Sequence, residues 1–351
     1  MHHPHRRRTL IAAGLLVAAR LAGAQPSRGS RRIAILEQGS QAVRAGQWRA
    51  FEAHLRRHGY VEGRNLAVER RWADGVDARL PQLAQEILAS QPEVVLAITT
   101  PAIQALKRLT SAVPIVMTGS ADPVATGLVA SLARPGGNVT GVSLDLATIA
   151  RKRLELMRDL VPKARLFGLL GPAANAGVRA AFAQAQQAAG ALGVQLRLVE
   201  ASDPPTIDAA FQSLSAEPVD VLLVTQVMLQ HHRRIVDLAA RHRLPTGYVD
   251  QEILSSGGLL VFGPERDSPY RHAADYVHRL LQGEQAAELP VMQPTEYWLG
   301  VNLRTASALG IRVPSTVLLR ADQVIECPRR ARSRAHAAHE LARRSADGSV
   351  E

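Results

Sequence analysis

The sequence contains little cysteine and few aromatic residues. Its 351 residues include one cysteine, Cys327, which excludes an internal disulfide. Aromatic side chains make up 4% of the chain, too few for the stacking platforms that bind single-stranded nucleic acid. No apolar run approaching the roughly 20 residues of a membrane-spanning helix occurs beyond residue 24, so none is predicted there.

Several motifs that carry catalytic or cofactor chemistry are also absent. The chain has no G-x-G-x-x-G fingerprint, no phosphate-binding loop and no G-x-S-x-G nucleophile elbow. These absences disfavour an enzyme and predict no cofactor. His54 and His58 have the spacing of two metal ligands on one helix, but arginines lie between them and the glutamate of H-E-x-x-H is missing. A solvated basic face is the favoured interpretation, so no metal site is predicted.

The first 24 residues have the layout of a secretory signal peptide. Arg6, Arg7 and Arg8 form a basic region, residues 10–19 are apolar, and Ala22-Gly23-Ala24 offers a cleavage site. The apolar region is about half the length needed to span a bilayer. We therefore expect cleavage after Ala24 and export to the periplasm. The arginines leave both the general secretory route and the twin-arginine route open.

The net charge of +11 is concentrated at the two ends of the chain. Four arginines precede residue 25, and residues 327–351 carry six arginines against three acidic side chains. The ends therefore hold seven of the eleven charges, so the basic pI does not indicate a nucleic-acid-binding surface on the folded part. Residues 327–351 are predicted to be disordered or a solvated helix, because they lack the apolar face of a membrane-surface helix.

From residue 31 onward, apolar runs of strand length alternate with amphipathic helical segments. The runs at 93–99 and 219–225 are continuously apolar, which is typical of strands buried on both faces. The order βαβαβ occurs twice, and "EVVLAITTPAIQAL" and "VDVLLVTQVMLQHH" echo one another. The sequence thus predicts an α/β fold of two doubly wound parallel-sheet lobes.

The stretch "RPGGNVTGVS", residues 134–143, is predicted to be a hinge between the lobes. The preceding segment 122–133 resembles a short helix, and glycines absorb backbone changes readily. Further crossings are expected near 257–263 and 289–302, giving a three-crossing hinge. The predicted lobes are 31–139 with 264–290, and 140–263 with 291–326. The alternative is an ordinary helix-to-strand turn inside one lobe.

Polar side chains follow the predicted strands at the edge where ligands bind in open α/β sheets. The candidate ligand-binding residues are Gln38, Ser40, Thr99, Thr100, Ser120, Asp122, Ser143, Asn175, Thr225, Gln226, Tyr248 and Asp250. Hydroxyls and amides suit capture of a small polar solute, and the helix after Thr100 favours an anionic group such as a carboxylate. No arginine is among them, so no bidentate clamp is expected. Asp122 and Asp250 either balance a ligand amine or cap local turns.

The stretch from Asp122 to Gly141, "DPVATGLVASLARPGGNVTG", resembles the signature of the ABC-transporter substrate-binding family that includes tryptophan- and phenylalanine-binding receptors. Further similar segments are "GGLLVFG" (257–263), "YRHAADYVHRLLQG" (270–283), "LPVMQPTEYWLGVN" (289–302) and "ALGIRVPSTVLLRADQVIE" (308–326), so the resemblance covers about 33–326. It implies a type I periplasmic binding protein fold, with two lobes, three crossings and a solute in the cleft.

The resemblance also bears on the ligand. It implies contacts near Thr99, Thr100 and Asp122. Receptors of this family with known amino-acid ligands carry Thr-Asp-Asn after the second-lobe strand, where this chain has Thr225-Gln226-Val227. The missing acid favours an aromatic or aliphatic carboxylate over an amino acid.

Together, the residues and the resemblance predict an exported receptor that closes around a small organic solute, a carboxylate or an amino acid. It is expected to act as a monomer, to deliver the solute to an ABC permease and to bind no nucleic acid. The alternative is a sensory receptor of the same fold that signals to a membrane kinase. A neighbouring permease gene or kinase gene distinguishes the two. An enzyme on a doubly wound scaffold is disfavoured.

Overall fold

Two separate β-sheets organise the chain in the computed structural model, which describes residues 29–326. The predicted signal peptide (1–24) and the segment 327–351, including Cys327, lie outside the described residues. Within residues 29–326, no helix has the length and apolar character needed to cross a membrane.

The described residues contain twelve strands and eleven α-helices. The strands are β1 (Arg31–Glu37), β2 (Leu66–Trp72), β3 (Val94–Ile98), β4 (Ile115–Ala121), β5 (Val139–Leu144), β6 (Leu166–Gly171), β7 (Gln195–Glu200), β8 (Val221–Val224), β9 (Thr246–Tyr248), β10 (Leu260–Pro264), β11 (Tyr297–Asn302) and β12 (Gln323–Ile325). The helices are α1 (Ala45–Arg57), α2 (Leu80–Ala89), α3 (Thr100–Lys107), α4 (Leu146–Leu160), α5 (Ala176–Ala191), α6 (Pro204–Ala216), α7 (His232–Arg241), α8 (Glu252–Ser255), α9 (Ser268–Leu281), α10 (Leu303–Leu309) and α11 (Ser315–Leu318). Short 3-10 helices cover Gln41–Arg44, Asp77–Arg79, Gln226–His231 and Ala286–Glu288.

The first sheet has the strand order β2-β1-β3-β4-β5 and is parallel throughout. Alternate residues of β1 enter two different cores, because successive side chains of a strand point to opposite faces. Ile33 and Ile35 pack with α1 and α9, whereas Ala34 and Leu36 pack with α2 and α3. This sheet and its four helices are called the first lobe below.

The second sheet has the order β12-β11-β10-β9-β8-β6-β7. Leu222 of β8 faces the core formed with α6 and α7, and Leu223 faces the core formed with α4 and α10. This sheet and its helices are called the second lobe. Its strands are parallel except for the antiparallel pair β10–β11, which the sequence analysis did not predict. The strand orders β2-β1-β3-β4 and β7-β6-β8-β9 are equivalent. This confirms the predicted two-lobe α/β fold and the predicted similarity between its two halves.

The first crossing lies later in the chain than predicted. β5 pairs with β4, so residues 139–144 complete the first sheet, and the chain enters the second lobe only after Leu144. The placement of residues 140–144 in the second lobe is therefore wrong. The glycine-containing pattern belongs to an edge strand, and Gly141 has φ 123° with the Met117 backbone against it, so no side chain fits there.

The helix predicted over 122–133 is also absent, since this segment forms consecutive turns. Asp122 has a positive φ of 32° and its Oδ1 accepts a hydrogen bond from Ala125 N at 3.0 Å. Gly127, at φ 70°, bends the backbone again. Left-handed residues separated by five positions prevent a continuous α-helix.

The other two crossings run from Pro264 to Ser268 and from Met292 to Tyr297. Met292 exchanges backbone hydrogen bonds with β5, so residues 291–292 belong with the first lobe, whereas they were predicted in the second. The crossings are bonded to one another: Glu265 N donates to Glu296 O at 3.0 Å, and Tyr297 Oη donates to Asp145 Oδ2 at 3.0 Å. These bonds restrict swivelling of one lobe about a single connection.

Candidate functional site

A cleft separates the two lobes at the carboxyl ends of β3, β4 and β8. One part of it, called the apolar half, contains a cavity of about 50 Å³. It is lined by Thr99, Thr100, Gly119, Ala121, Leu144, Leu146, Ile149, Ala150, Arg153, Asn175, Gly177, Val178, Ala181, Ala185, Thr225, Gln226, Val227 and Val249. No acidic side chain is among these lining residues.

Thr99 and Thr100 form the turn from β3 into α3. Thr99 has φ 76°, a value that β-branched residues adopt rarely, and its buried Oγ1 has no protein hydrogen-bond partner. Thr100 Oγ1 accepts a hydrogen bond from Ala121 N at 3.1 Å, which leaves its own proton free to donate. Strained backbone of this kind is concentrated at binding sites, where it aims a side chain at a ligand.

Arg153 brings a buried positive charge to the apolar half. It lies on the inward face of α4, one turn after Ile149, and is 4% exposed. One guanidinium nitrogen donates to Val224 O at 2.9 Å, whereas Nε is buried without a partner. Burial lowers the pKa of Arg153 to about 10, so the side chain remains cationic at neutral pH. Within residues 29–326 no acidic side chain lies within ion-pair distance of Arg153, and its charge is only partly offset by the longer-range attraction of Asp250. An anion bound in contact with it would compensate the charge further.

Asn175 adds a further donor. Its Oδ1 caps α5 by accepting hydrogen bonds from Gly177 N at 2.8 Å and Val178 N at 3.3 Å, so Nδ2 is the free end of the amide. That Nδ2 is buried and has no protein partner. Three donors without acceptors, from Thr99, Arg153 and Asn175, therefore line one apolar space. This set of donors complements an acceptor such as a carboxylate.

The adjoining part of the cleft, called the charged half, contains a cavity of about 40 Å³. Its lining includes Arg44, Gln47, Asp250, Glu252 and Tyr270. Arg44 Nε lies 3.4 Å from Glu37 Oε1, which belongs to the first lobe. Arg44 Nη1 lies 3.5 Å from Asp250 Oδ1, which belongs to the second lobe. Gln47 Nε2 donates to Glu252 Oε1 at 2.7 Å, again across the cleft. These polar contacts join the two lobes.

Asp250 is buried in the charged half and already has protein partners. Gln226 Nε2 donates to its Oδ1 at 3.3 Å, and Arg44 lies on the same oxygen. Burial raises the pKa of the Asp250 carboxyl to about 6, because the loss of hydration outweighs the attraction of Arg44. Burial raises the pKa of Glu37 in the same way. The charged half therefore favours proton uptake under mildly acidic conditions.

The lobes also touch at the rim of the apolar half. A Cβ added to Gly177 of the second lobe would lie 2.9 Å from Thr100 Oγ1 and 3.2 Å from Ala121 Cβ, both in the first lobe. Only a residue without a side chain permits so close an approach. The described conformation is therefore one in which the lobes meet on both sides of the cleft.

Six of the twelve predicted site residues line this cleft: Thr99, Thr100, Asn175, Thr225, Gln226 and Asp250. Thr225 Oγ1 is already used, since it donates to Leu170 O at 2.8 Å. The remaining five bring hydroxyl, amide or carboxylate groups from four loops, which lie on both lobes.

The other six predicted residues do not line the cleft. Gln38 Nε2 donates to Asp77 Oδ1 at 2.5 Å, and Ser120 Oγ donates to Met117 Sδ at 3.2 Å, so both are engaged elsewhere. Asp122 caps a turn, as the alternative interpretation predicted.

Ser40, Ser143 and Tyr248 are placed outside the cleft for different reasons. Ser40 precedes the 3-10 helix Gln41–Arg44. Ser143 is a buried residue of the edge strand β5, where its backbone pairs with Met292. Tyr248 is fully buried in the core formed by α6 and α7. The next residues along the chain, Leu144 and Val249, line the cleft, so the alternation of side chains along a strand directs Ser143 and Tyr248 to the opposite side.

The strand-end candidates, which include no arginine and for which no bidentate clamp is expected, omit two buried arginines that line the cleft. Arg153 and Arg44 approach the cleft from helices, whereas the sequence analysis searched only the ends of strands. Arg153 carries a visible signal, since it lies on the same stripe of α4 as Ile149 and Met157. An arginine within an apolar helical stripe is rarely buried unless it has a partner. Arg44 has no comparable signal.

The sequence is similar to those of known binding proteins. Residues 33–325 match the model of a family described as ABC transporter substrate binding protein. A tyrosine-binding protein from Clostridioides difficile is 28% identical over 266 residues, which cover 75% of this chain and 76% of that protein.

Two solved structures share the fold. An ABC domain from Streptococcus pneumoniae in complex with L-Trp superposes with a TM-score of 0.77 at 23% identity, covering 84% of this chain and all of that one. A conserved domain protein from Vibrio cholerae O1 biovar El Tor has a TM-score of 0.78 at 26% identity, covering 84% of this chain and 99% of that one. The type I periplasmic binding protein fold expected from the sequence is thereby confirmed.

Proposed function

The chain belongs to the ABC transporter substrate binding protein family, and from this premise we propose that it captures a small apolar carboxylate in its interlobe cleft for an ABC permease. The family consists of binding proteins, and the similar proteins are named or described as such, so the chain is not an enzyme. The proposal for the ligand rests on the chemistry of the cleft itself.

The observation that carries the proposal is the set of unpaired donors around Arg153. Arg153 Nε, Thr99 Oγ1 and Asn175 Nδ2 are buried without protein partners in the apolar half. A carboxylate has two oxygens that accept several hydrogen bonds at once and would neutralise the arginine. A neutral or cationic ligand head group would leave that charge buried and uncompensated, which is strongly unfavourable.

The walls of the apolar half define the rest of the ligand. Leu144, Ile149, Val178, Ala185 and Val249 surround the space with hydrocarbon. An apolar ligand body gains free energy by leaving water for such walls, at about 25 cal/mol per Å². An aromatic or branched aliphatic body is therefore proposed, and the L-Trp complex and the tyrosine-binding relative are compatible with it.

The positions of the nearby acids favour a plain acid over an amino acid. Asp122 caps a turn, and Asp250 is held by Arg44 and Gln226. One observation supports the amino acid as the second candidate: Glu252 Oε2 in the charged half is buried without a partner and would accept from an ammonium group. The experiment below separates the two.

Calorimetric titration of one matched set of ligands tests the proposal. Indole-3-propionate offers the carboxylate alone, tryptamine the amine alone, and L-Trp both. We expect indole-3-propionate to bind at least as tightly as L-Trp, and tryptamine not to bind. Tighter binding of L-Trp would identify an amino-acid receptor, and binding of tryptamine alone would refute the carboxylate assignment.

Export and transport complete the proposal. We propose that the protein is exported and that residues 1–24 are removed. We also propose that its two lobes close about the three linked crossings as ligand contacts form on both sides of the cleft. Small-angle scattering should show a smaller radius of gyration with ligand, and an unchanged radius would count against closure. Adjacent permease and ATPase genes would support import, whereas an adjacent membrane-kinase gene would support the sensory alternative.

A further inference from the structure

Three metal-ligating side chains meet on the outer surface of the first lobe, away from the cleft. His54 lies in the last turn of α1 and His58 caps the end of that helix, and Asp275 faces them from α9. His54 Nε2 is 2.8 Å and His58 Nε2 is 2.7 Å from the same oxygen, Asp275 Oδ1. All three ligand atoms lie within 4.8 Å of one another. Two residues close in sequence are thus joined by a third that is more than 200 positions away.

The geometry points to a site for a zinc-like divalent cation, and we propose that His54, His58 and Asp275 bind one. A tetrahedral Zn²⁺ holds nitrogen ligands at about 2.0–2.1 Å and carboxylate oxygens at about 2.0–2.2 Å, so its ligand atoms lie roughly 3.3 Å apart. The ligand atoms of the three residues, 2.7–2.8 Å apart in the two His–Asp pairs and all within 4.8 Å, lie on both sides of this separation. The i,i+4 pair with a third ligand from another element is the ligand set of three-ligand zinc sites.

The arginines that argued against a metal in the sequence do not face the cluster. Arg56 and Arg57 lie between the two histidines in sequence, but the helical turn of 100° per residue directs them to other faces, where both are exposed. The histidine side chains are 19% and 26% exposed and the aspartate side chain is 39% exposed, so an ion can enter from solvent. The site was therefore missed because its third ligand is distant in sequence.

Neighbouring side chains support the histidine pair. The His278 ring stacks on His58 with centroids 4.2 Å apart, and Tyr60 Oη lies 3.3 Å from His278 Nδ1. His272, one turn before Asp275 on α9, has Nδ1 at 3.7 Å from Asp275 Oδ2. Such surrounding contacts orient metal-binding histidines and strengthen their sites.

A cation at this site would join α1 to α9. α1 lies near the start of the described chain, and α9 follows the second crossing, so the ion links two segments of the first lobe that the chain reaches separately. Imidazole nitrogens select Zn²⁺, Ni²⁺ or Cu²⁺ over Mg²⁺, which prefers oxygen ligands. The inference does not depend on the ligand proposed for the cleft.

Calorimetry and thermal melting with ZnCl₂ test the site in the full chain after removal of metal by a chelator. Compared with the His54→Ala and Asp275→Asn variants, the wild-type protein should bind one additional Zn²⁺ ion. If the variants still bind that ion, their affinity for it should be roughly tenfold or more weaker. Zn²⁺ should raise its melting temperature through preferential binding to the folded state, and MgCl₂ should not. Histidines outside residues 29–326 are present in every variant, so their contribution cancels.

His242→Ala, which removes an exposed histidine of the second lobe, is the matched control and should bind Zn²⁺ like the wild type. Melting without metal checks that each variant folds, and Asp275→Asn keeps the shape of the side chain. Equal Zn²⁺ affinity, stoichiometry and stabilisation in the wild type and both site variants would overturn the proposal, as would absence of Zn²⁺ binding to the wild type.

Discussion

Each half of the cleft contains one buried arginine, and the two differ in their partners. Arg44, in the charged half, lies between Glu37 and Asp250 and connects the lobes. Arg153, in the apolar half, has a backbone carbonyl as its hydrogen-bond partner and no ion pair within residues 29–326. The exposed fractions are nearly equal, 5% and 4%, so burial alone does not distinguish them.

Arg44 is therefore a structural charge, whereas Arg153 is available to bind a ligand. An arginine held by two carboxylates stabilises the contact between the lobes without any ligand. An arginine buried with no anion in contact, and with only the longer-range attraction of Asp250, destabilises the unliganded protein, and that cost is relieved when a carboxylate binds. Replacing Arg44, Arg153 and their neighbours in turn tests this difference.

Replacing Arg44 should destabilise the protein most. Arg44→Met leaves Glu37 and Asp250 buried without their cation, which should lower the free energy of unfolding by about 3–5 kcal/mol. Urea denaturation of the unliganded protein measures this change. Arg49→Met, which removes an exposed arginine of α1, is the control and should change stability by no more than about 0.5 kcal/mol. A stable Arg44→Met variant would show that the ion pairs do not hold the lobes.

Replacing Arg153 should give the opposite pattern. Arg153→Met keeps the volume and removes an uncompensated charge, so unliganded stability should fall by less than about 1 kcal/mol or rise. Affinity for indole-3-propionate should fall by about 2–5 kcal/mol, because a buried charged pair is lost. Calorimetry measures the affinity, and Arg151→Met on the exposed side of α4 should bind normally. Unchanged affinity in Arg153→Met would remove this arginine from the site.

Asp250 should make stability depend on pH in the charged half. Its folded pKa of about 6 lies above its ordinary value of 3.8, so the folded state binds the proton more tightly than the unfolded state. This stabilises the protein below about pH 4, and the contribution is lost as the pH rises through about 6. The unfolding free energy of the wild type minus that of Asp250→Asn should therefore fall by up to about 3 kcal/mol between pH 4 and 7.

Denaturant unfolding at several pH values measures this difference. Asp237→Asn, which changes an exposed carboxylate of the same lobe, serves as the comparison and should show no such trend. A difference that is flat with pH, or that grows as the pH rises, would contradict the burial of Asp250 described here.

The smallest expected effect concerns the hydroxyl of Thr99. Thr99→Val keeps the branched shape in the apolar half and removes a donor to the carboxylate, so affinity should fall by about 1–2 kcal/mol. Thr225→Val is the matched control at the opposite side of the cleft, since the Thr225 hydroxyl is already bonded to Leu170 O. If the two variants lose affinity equally, the unpaired donor at Thr99 is not a ligand contact.

More of the fold than of the binding site could be predicted from the sequence. Continuous apolar runs such as Val94–Ile98 and Val221–Val224 identified the central strands, because burial on both faces leaves a local pattern. Thr99, Thr100, Thr225 and Gln226 followed from the rule that ligands bind beyond the carboxyl ends of those strands. Arg44 did not follow, because its partners Glu37 and Asp250 lie in different lobes.

The local pattern of apolar residues was enough to predict the alternation of strands and helices, and with it the two equivalent sheets. Periodicity is local, and the chain encodes it within each element. Contacts between distant segments became visible only in the folded chain: Arg153 lies beside unpaired donors and Arg44 contacts Asp250 across the cleft, and His54 and His58 contact Asp275 within the first lobe. These contacts depend on helix rotation and lobe closure, which are set by packing between segments that are distant along the chain.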